Sequence, residues 1–299
     1  MMSWIALAAL AQLFNAVTVL VDKYVITCIN CVGRTPVAYA FWVSLLSGFV
    51  IVLVPFGVVS WPSGSVIGLS CAVAFTYITS ILLLYSALRR AGASDVVPVV
   101  GAVSAITTFS LAYVLLNQDL PDSSLLGLGL LIVGTALISH FRFTLNSFTI
   151  SVFSGIFFGF SAILIKLIFI ETTFIDGFFW SRMTNVVGAL MLLAWPGNYK
   201  AIMTGVQGTT TTTKWIVVGN KALSGVAFAL ILFAISLGSV SVVNAMSGLQ
   251  FVFLLSFAYL FADIFPAIFY GEIHKHKYFH HKLYGIIFIV FGLIALFIQ

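Results

Sequence analysis

Ten apolar stretches, each long enough to cross a bilayer as a helix, follow one another with only short breaks. They cover 3–21, 36–59, 65–88, 94–116, 123–140, 148–170, 175–195, 214–237, 240–262 and 283–298. A hydrocarbon core about 30 Å thick is crossed by about 20 helical residues. Inside it the chain must satisfy its own backbone N–H and C=O groups, which leaves helices or a closed barrel. A barrel needs strands of roughly ten residues with alternating polarity, and Leu125 to Ile138 is apolar without alternation. The expected fold is an all-α membrane protein of ten transmembrane helices. The breaks suit that reading: Gly33-Arg34-Thr35-Pro36, Ser60-Trp61-Pro62-Ser63-Gly64, Arg89-Arg90-Ala91-Gly92, and Asn117 to Asp122 with Pro121. Composition agrees, with 62% hydrophobic and 7% charged residues. Soluble domains carry roughly 25% charge and need it to cover their surface. No basic region precedes the first stretch, so Met1 to Val21 reads as a membrane helix rather than a cleaved leader.

The net charge of +5 is spread over short loops and forms no basic stripe, which argues against a nucleic-acid partner. Lys23, Arg34, Arg89, Arg90, Arg142, Lys200, Lys214, Lys275, Lys277 and Lys282 all fall in the odd-numbered loops. The even-numbered loops hold none, and there or beside them lie Asp119, Asp122, Glu171 and Asp176. The positive-inside rule then places the odd loops in the cytoplasm and both termini outside. The cell membrane is the expected location.

The two halves of the chain resemble one another. Ser110, Ala112 and Tyr113 match Ser256, Ala258 and Tyr259; Phe41-Trp42 matches Phe179-Trp180; Lys23 matches Lys166; Gly127 and Gly134 match Gly285 and Gly292. The matches keep one order along the chain. They divide it into a first five-helix repeat, 1–143, and a second, 144–299. An odd number of helices inverts the second repeat relative to the first. Inverted repeats are typical of alternating-access transporters, which bind solute between the halves near the midplane.

Further residues carry a family resemblance over nearly the whole chain. The first half has Tyr85-Ser86-Ala87-Leu88, Gly92 to Pro98, Gly127 and Gly134. The second has Phe233 to Leu237, Ser239 to Asn244, Gly271-Glu272, Gly285 and Gly292, with Arg182 in Phe-Trp-Ser-Arg. In these features the chain resembles the drug/metabolite transporter superfamily of EamA type. That resemblance implies two inverted five-helix repeats and metabolite transport. The chain departs from the pattern where Asn117-Gln118-Asp119 replaces the Gly-Glu turn and Ser44 stands at the arginine position. The family's termini are usually placed in the cytoplasm, opposite to what the charges here indicate.

Ionisable groups inside a bilayer are functional hypotheses by default. Lys166, Arg182 and Lys221 fall within the apolar stretches. Each could instead snorkel to the headgroups. Gln12, Asn15, Asn185 and Gln250 lie nearer the centre, with Asn244 near one helix end. Alone, each could be interhelical glue; together they are candidates for a polar pathway. Trp42 and Trp180 are symmetry-related aromatic candidates, either gates or interface anchors. The substrate-pathway set is therefore Asn15, Trp42, Trp180, Arg182, Asn185, Lys221, Asn244 and Gln250. Arg182 and Lys221 as a basic pair would favour a carboxylate or phosphate. Paired elsewhere, they would leave room for a neutral or zwitterionic solute.

Other features read as structural. Cys28 and Cys31 form an isolated CxxC. His274, His276, His280 and His281 cluster in a lysine-bearing loop. Asp22 and Lys23 read as a local charge pair at the end of the first helix. Small residues recur four apart at Gly64/Gly68, Ser44/Gly48 and Gly155/Gly159, a spacing that permits close helix contact. No Walker sequence, metal motif or catalytic constellation is present. The expectation is a secondary transporter, not an enzyme and without a cofactor, that moves a small solute by alternating access. Membrane lipid and a coupling proton or other ion are its further expected partners. The alternative is an integral membrane lipid-handling protein or enzyme without solute transport.

Overall fold

The computed structural model describes residues 3–27, 35–116, 122–138, 144–207, 211–261 and short runs between 284 and 295. Every element among them is helical: α1 Ser3–Thr27, α2 Pro36–Leu46, α3 Gly64–Leu88, α4 Ala93–Leu116, α5 Asp122–Ile138, α6 Leu145–Glu171, α7 Phe174–Leu192, α8 Pro196–Gln207, α9 Thr211–Leu237, α10 Val240–Ala245 and α11 Ser247–Phe261. A 3₁₀ stretch, Ser47–Phe56, prolongs α2. Six helical spans are long and apolar enough to cross a membrane, or seven if α7 and α8, bent by 103°, count as one. Their outer surface bears Phe49, Phe56, Phe75, Leu145 and Ile170, all exposed. A surface of this kind is stable in lipid and would aggregate in water. The protein is an integral, multi-pass, all-α membrane protein.

The expected ten crossings are not all reached among the described residues. The fifth expected segment forms a 17-residue helix, and half of the tenth lies outside the described residues. So do Cys28, Cys31, Asp119, Arg142 and the 262–283 region with its four histidines. The second segment changes character midway. The Ser47 hydroxyl donates to the Ser44 carbonyl at 2.6 Å, and Pro55 removes a donor; both compete with the α-helical ladder. The segment ends at Gly57, whose φ of 66° only glycine adopts readily.

Helices start where local chemistry provides a cap. Thr35, Ser63, Thr144 and Thr173 each accept a backbone N–H of the following turn, satisfying a donor the helix cannot. Within the bundle, α1 packs along α9 and α3 along α6, while α2 meets α7, and α4 meets α10 and α11. Close approach is made possible by glycine in particular places. A Cβ on Gly155 would lie 2.7 Å from the Val100 carbonyl oxygen, and one on Gly159 would lie 2.6 Å from Thr107 Cβ. Two large apolar cores and a smaller cluster of Ala38, Phe41, Ala189 and Ile202 result. The first draws on α1, α2, α3, α4 and α11 around Tyr39, Leu88 and Phe251. The second draws on α3, α6, α9 and α10 around Ile163, Leu232 and Met246.

Candidate functional site

A cavity of about 230 Å³ is walled by residues of both cores, Ile81, Val100 and Phe251 from one and Ile165, Leu232 and Ile235 from the other. Its carboxamides and carboxylate come from α1, α10 and α11, and Ser104, Ser161 and Ser224 add hydroxyls from α4, α6 and α9. Gln12, Asn15, Thr18 and Asp22 follow the spacing of one face of α1. Gln250 and Ser247 come from α11, and Asn244 from α10. Tyr77, Tyr85, Phe158 and Phe228 add aromatic faces. Gln12 Oε1 is buried and has no hydrogen-bond partner among the described residues, so an acceptor on this wall is unused. Asn244 Nδ2 donates to the Ser104 hydroxyl at 3.1 Å and to Thr108 Oγ1, joining α10 to α4.

Beside the cavity lies a buried ion pair. Asp22 Oδ1 is 2.6 Å from Lys221 Nζ. The same oxygen accepts from Asn220 Nδ2 at 2.6 Å and from the Tyr39 hydroxyl. Oδ2 accepts from the Tyr85 hydroxyl at 3.2 Å. The Lys221 ammonium also stands 4.8 Å from the Tyr39 ring centroid and 5.9 Å from that of Tyr85. Leaving either charge of such a pair alone in an apolar interior is strongly unfavourable. Lys221 is therefore neutralised in place and does not snorkel.

This overturns the expected local pairing of Asp22 with Lys23. Helix α1 runs on to Thr27 rather than ending at Val21, so the two neighbours point about 100° apart. Asp22 faces Lys221, and Lys23 Nζ donates to the carbonyls of Leu88 and Ala91 at the end of α3. Lys166 does likewise in the second half, donating to the carbonyls of Ile235 at 2.8 Å and Gly238 at 3.0 Å at the end of α9. Both lysines satisfy carbonyls a helix terminus leaves open and sit at the negative end of its dipole.

Arg182 is 4% exposed and is not on the cavity wall. Its guanidinium lies 4.3 Å from the Phe228 ring centroid and 4.9 Å from that of Tyr77. With its amide oxygen turned inward, Asn185 accepts from Nη1 at 3.1 Å and Nη2 at 3.2 Å. The Arg182 Nε has no partner among the described residues. Tyr77 and Phe228 thus separate Arg182 from the cavity they line.

Of the expected pathway residues, the structure brings Asn15, Asn244 and Gln250 to the cavity wall, with Lys221 bonded to a wall residue. Arg182 and Asn185 form a cluster behind it. The two tryptophans lie apart. Trp180 Nε1 donates to the Ser60 carbonyl at 3.0 Å, and its ring lies 6.4 Å from that of Trp61. Trp42 packs against Ala38, Phe41, Ala189 and Ile202, its Nε1 buried without a partner among the described residues. Sequence reasoning missed Asp22, Tyr39, Tyr85 and Asn220. A longer first helix, placing Asp22 inside the bilayer, was the signal that would have found the group.

No family model matches the chain, and no curated protein matches it. Among 26 matching solved chains, one crystal structure of a protein superposes with a TM-score of 0.67. That match covers 97% of this chain and 98% of the other at 13% sequence identity. A likeness at that identity is one of fold alone.

Proposed function

We propose that this chain is a secondary transporter carrying a small solute between two inverted five-helix halves, 1–143 and 144–299. In this reading it crosses the membrane ten times, as in the EamA-type drug/metabolite transporters it resembles. The carrying observation is the cavity of about 230 Å³, lined by carboxamides of α1, α10 and α11 inside a predominantly apolar bundle. Polar groups at membrane depth are unfavourable unless they meet a partner, and Gln12 Oε1 has none among the described residues. A solute donor would supply it.

Several contacts support the repeat. Lys23 and Lys166, matched by sequence, cap the third helix of their respective halves. The packing of α1 on α9 is mirrored by that of α6 on α3. Gly134 of α5 approaches the Gly285 carbonyl, so that a Cβ there would lie 2.8 Å from it. These are the fifth segments of the two halves.

The charges point to the solute class. Lys221 is neutralised by Asp22, and Arg182 lies behind Tyr77 and Phe228. The wall then carries no uncompensated charge, which favours an uncharged or zwitterionic solute over an anion.

Reconstitution in liposomes with a panel of neutral, zwitterionic and anionic solutes tests this reading. The Asn15→Leu and Gln250→Leu variants are expected to lower uptake about tenfold, matching the loss of one or two hydrogen bonds. The lipid-facing Phe153→Leu variant should transport normally. No uptake of any solute by folded wild-type protein would defeat the proposal.

A further inference from the structure

The surroundings of the Lys221 ammonium are those of a small-cation site. One carboxylate oxygen lies 2.6 Å away, and two aromatic faces lie at 4.8 and 5.9 Å. Asn220, the neighbouring residue, keeps a buried amide oxygen with no hydrogen-bond partner among the described residues. Its Nδ2 is engaged by Asp22 and by the Thr18 carbonyl. An ammonium has three N–H donors, yet the Asp22 oxygen is the one acceptor bonded to it among the described contacts. The two aromatic faces beside it attract any compact cation through the ring quadrupole. Asp22 and Tyr85 also belong to the cavity wall, so the carboxylate is within reach of that space.

We propose that Asp22, Tyr39, Tyr85 and Asn220 form a monovalent-cation site whose resident cation is the Lys221 ammonium, tethered to α9 in place of a free ion. Without the lysine, the ligand class is a compact monovalent cation: Na⁺, K⁺ or a small primary ammonium. The tether ties α1 to α9 without drawing on the salt composition of either side of the membrane. Native protein should therefore be indifferent to which alkali cation is present. The inference goes beyond solute transport and holds whatever solute the cavity takes.

The test uses purified full-length protein in detergent, with choline chloride replaced stepwise by NaCl, KCl or methylammonium chloride at constant ionic strength. A cation bound only by the folded form raises the thermal midpoint in a saturable way. Lys221→Ala is expected to gain at least about 2 °C with one or more of the three. Wild type, Lys221→Arg and the double variant Asp22→Asn/Lys221→Ala are expected to show no cation-specific shift. If Lys221→Ala unfolds in choline, its recovery in folded form with Na⁺, K⁺ or methylammonium would equally support the site. A folded Lys221→Ala indifferent to all three cations would overturn it. So would a cation-specific shift in wild type or Lys221→Arg equal to that of Lys221→Ala. Failure of Lys221→Ala to fold in any salt, where the double variant folds, would also overturn it. No outcome depends on transport, so failure here is distinct from failure of the transporter reading.

Discussion

Lys23 and Lys166 each turn an ammonium onto two carbonyls three residues apart at a helix end. Lys23 takes Leu88 and Ala91, and Lys166 takes Ile235 and Gly238. A charged donor on an open carbonyl contributes about 1.5–3 kcal/mol when well shielded, and less where water reaches it. Lys23→Met and Lys166→Met are each expected to lose about 1–2 kcal/mol. The readout is a thermal midpoint lower by a few degrees in detergent. An unchanged midpoint in both variants would show that the lysines only decorate those ends.

Glycines four apart in sequence separate into two kinds in the structure. A Cβ at Gly155 or Gly159 would press on the backbone carbonyl of Val100 or Ser104, whereas one at Gly64 or Gly68 would meet nothing within 4 Å. Gly155→Ala and Gly159→Ala should each destabilise by about 1–3 kcal/mol through overpacking of α6 on α4. Gly68→Ala should be neutral, or up to about 1 kcal/mol stabilising, through helix propensity. Thermal melts of the three variants side by side decide the matter; equal midpoints would mean that α6 and α4 can separate freely.

Arg182 keeps its charge buried against two rings and one carboxamide, with no carboxylate partner among the described contacts. Replacing an incompletely paired buried charge by an apolar chain of similar length is often neutral or stabilising. Arg182→Met is therefore expected to hold or raise the thermal midpoint. Freed from the guanidinium, Tyr77 and Phe228 should shift on the cavity wall and raise the KM for uptake severalfold. A lower midpoint with unchanged KM would reduce Arg182 to a packing role.

The one-sided distribution of Lys and Arg gives an expected orientation. A cysteine introduced at Gly64, in a background without the three native cysteines, should react with an impermeant thiol reagent applied outside intact cells. One introduced at Asn198, in the first turn of α8, should not. The reverse labelling would invert the assigned topology.

The sequence determined the solvent of this protein and its all-helical class. Apolar stretches of bilayer length permit little else, because each must satisfy its own backbone. It also placed Asn15, Asn244 and Gln250 among the polar candidates, and they do line the cavity. Partners were another matter. Asp22 pairs with Lys221 rather than with its neighbour Lys23, since adjacent helical residues face different helices and α1 extends past its apolar stretch. Arg182 is held behind the cavity wall instead of facing into it, because Tyr77 and Phe228 meet in front of it from α3 and α9. Which glycines matter was likewise decided by the neighbouring helix alone. Composition and spacing report what each residue must avoid, whereas contacts between segments far apart in the chain depend on how the helices pack.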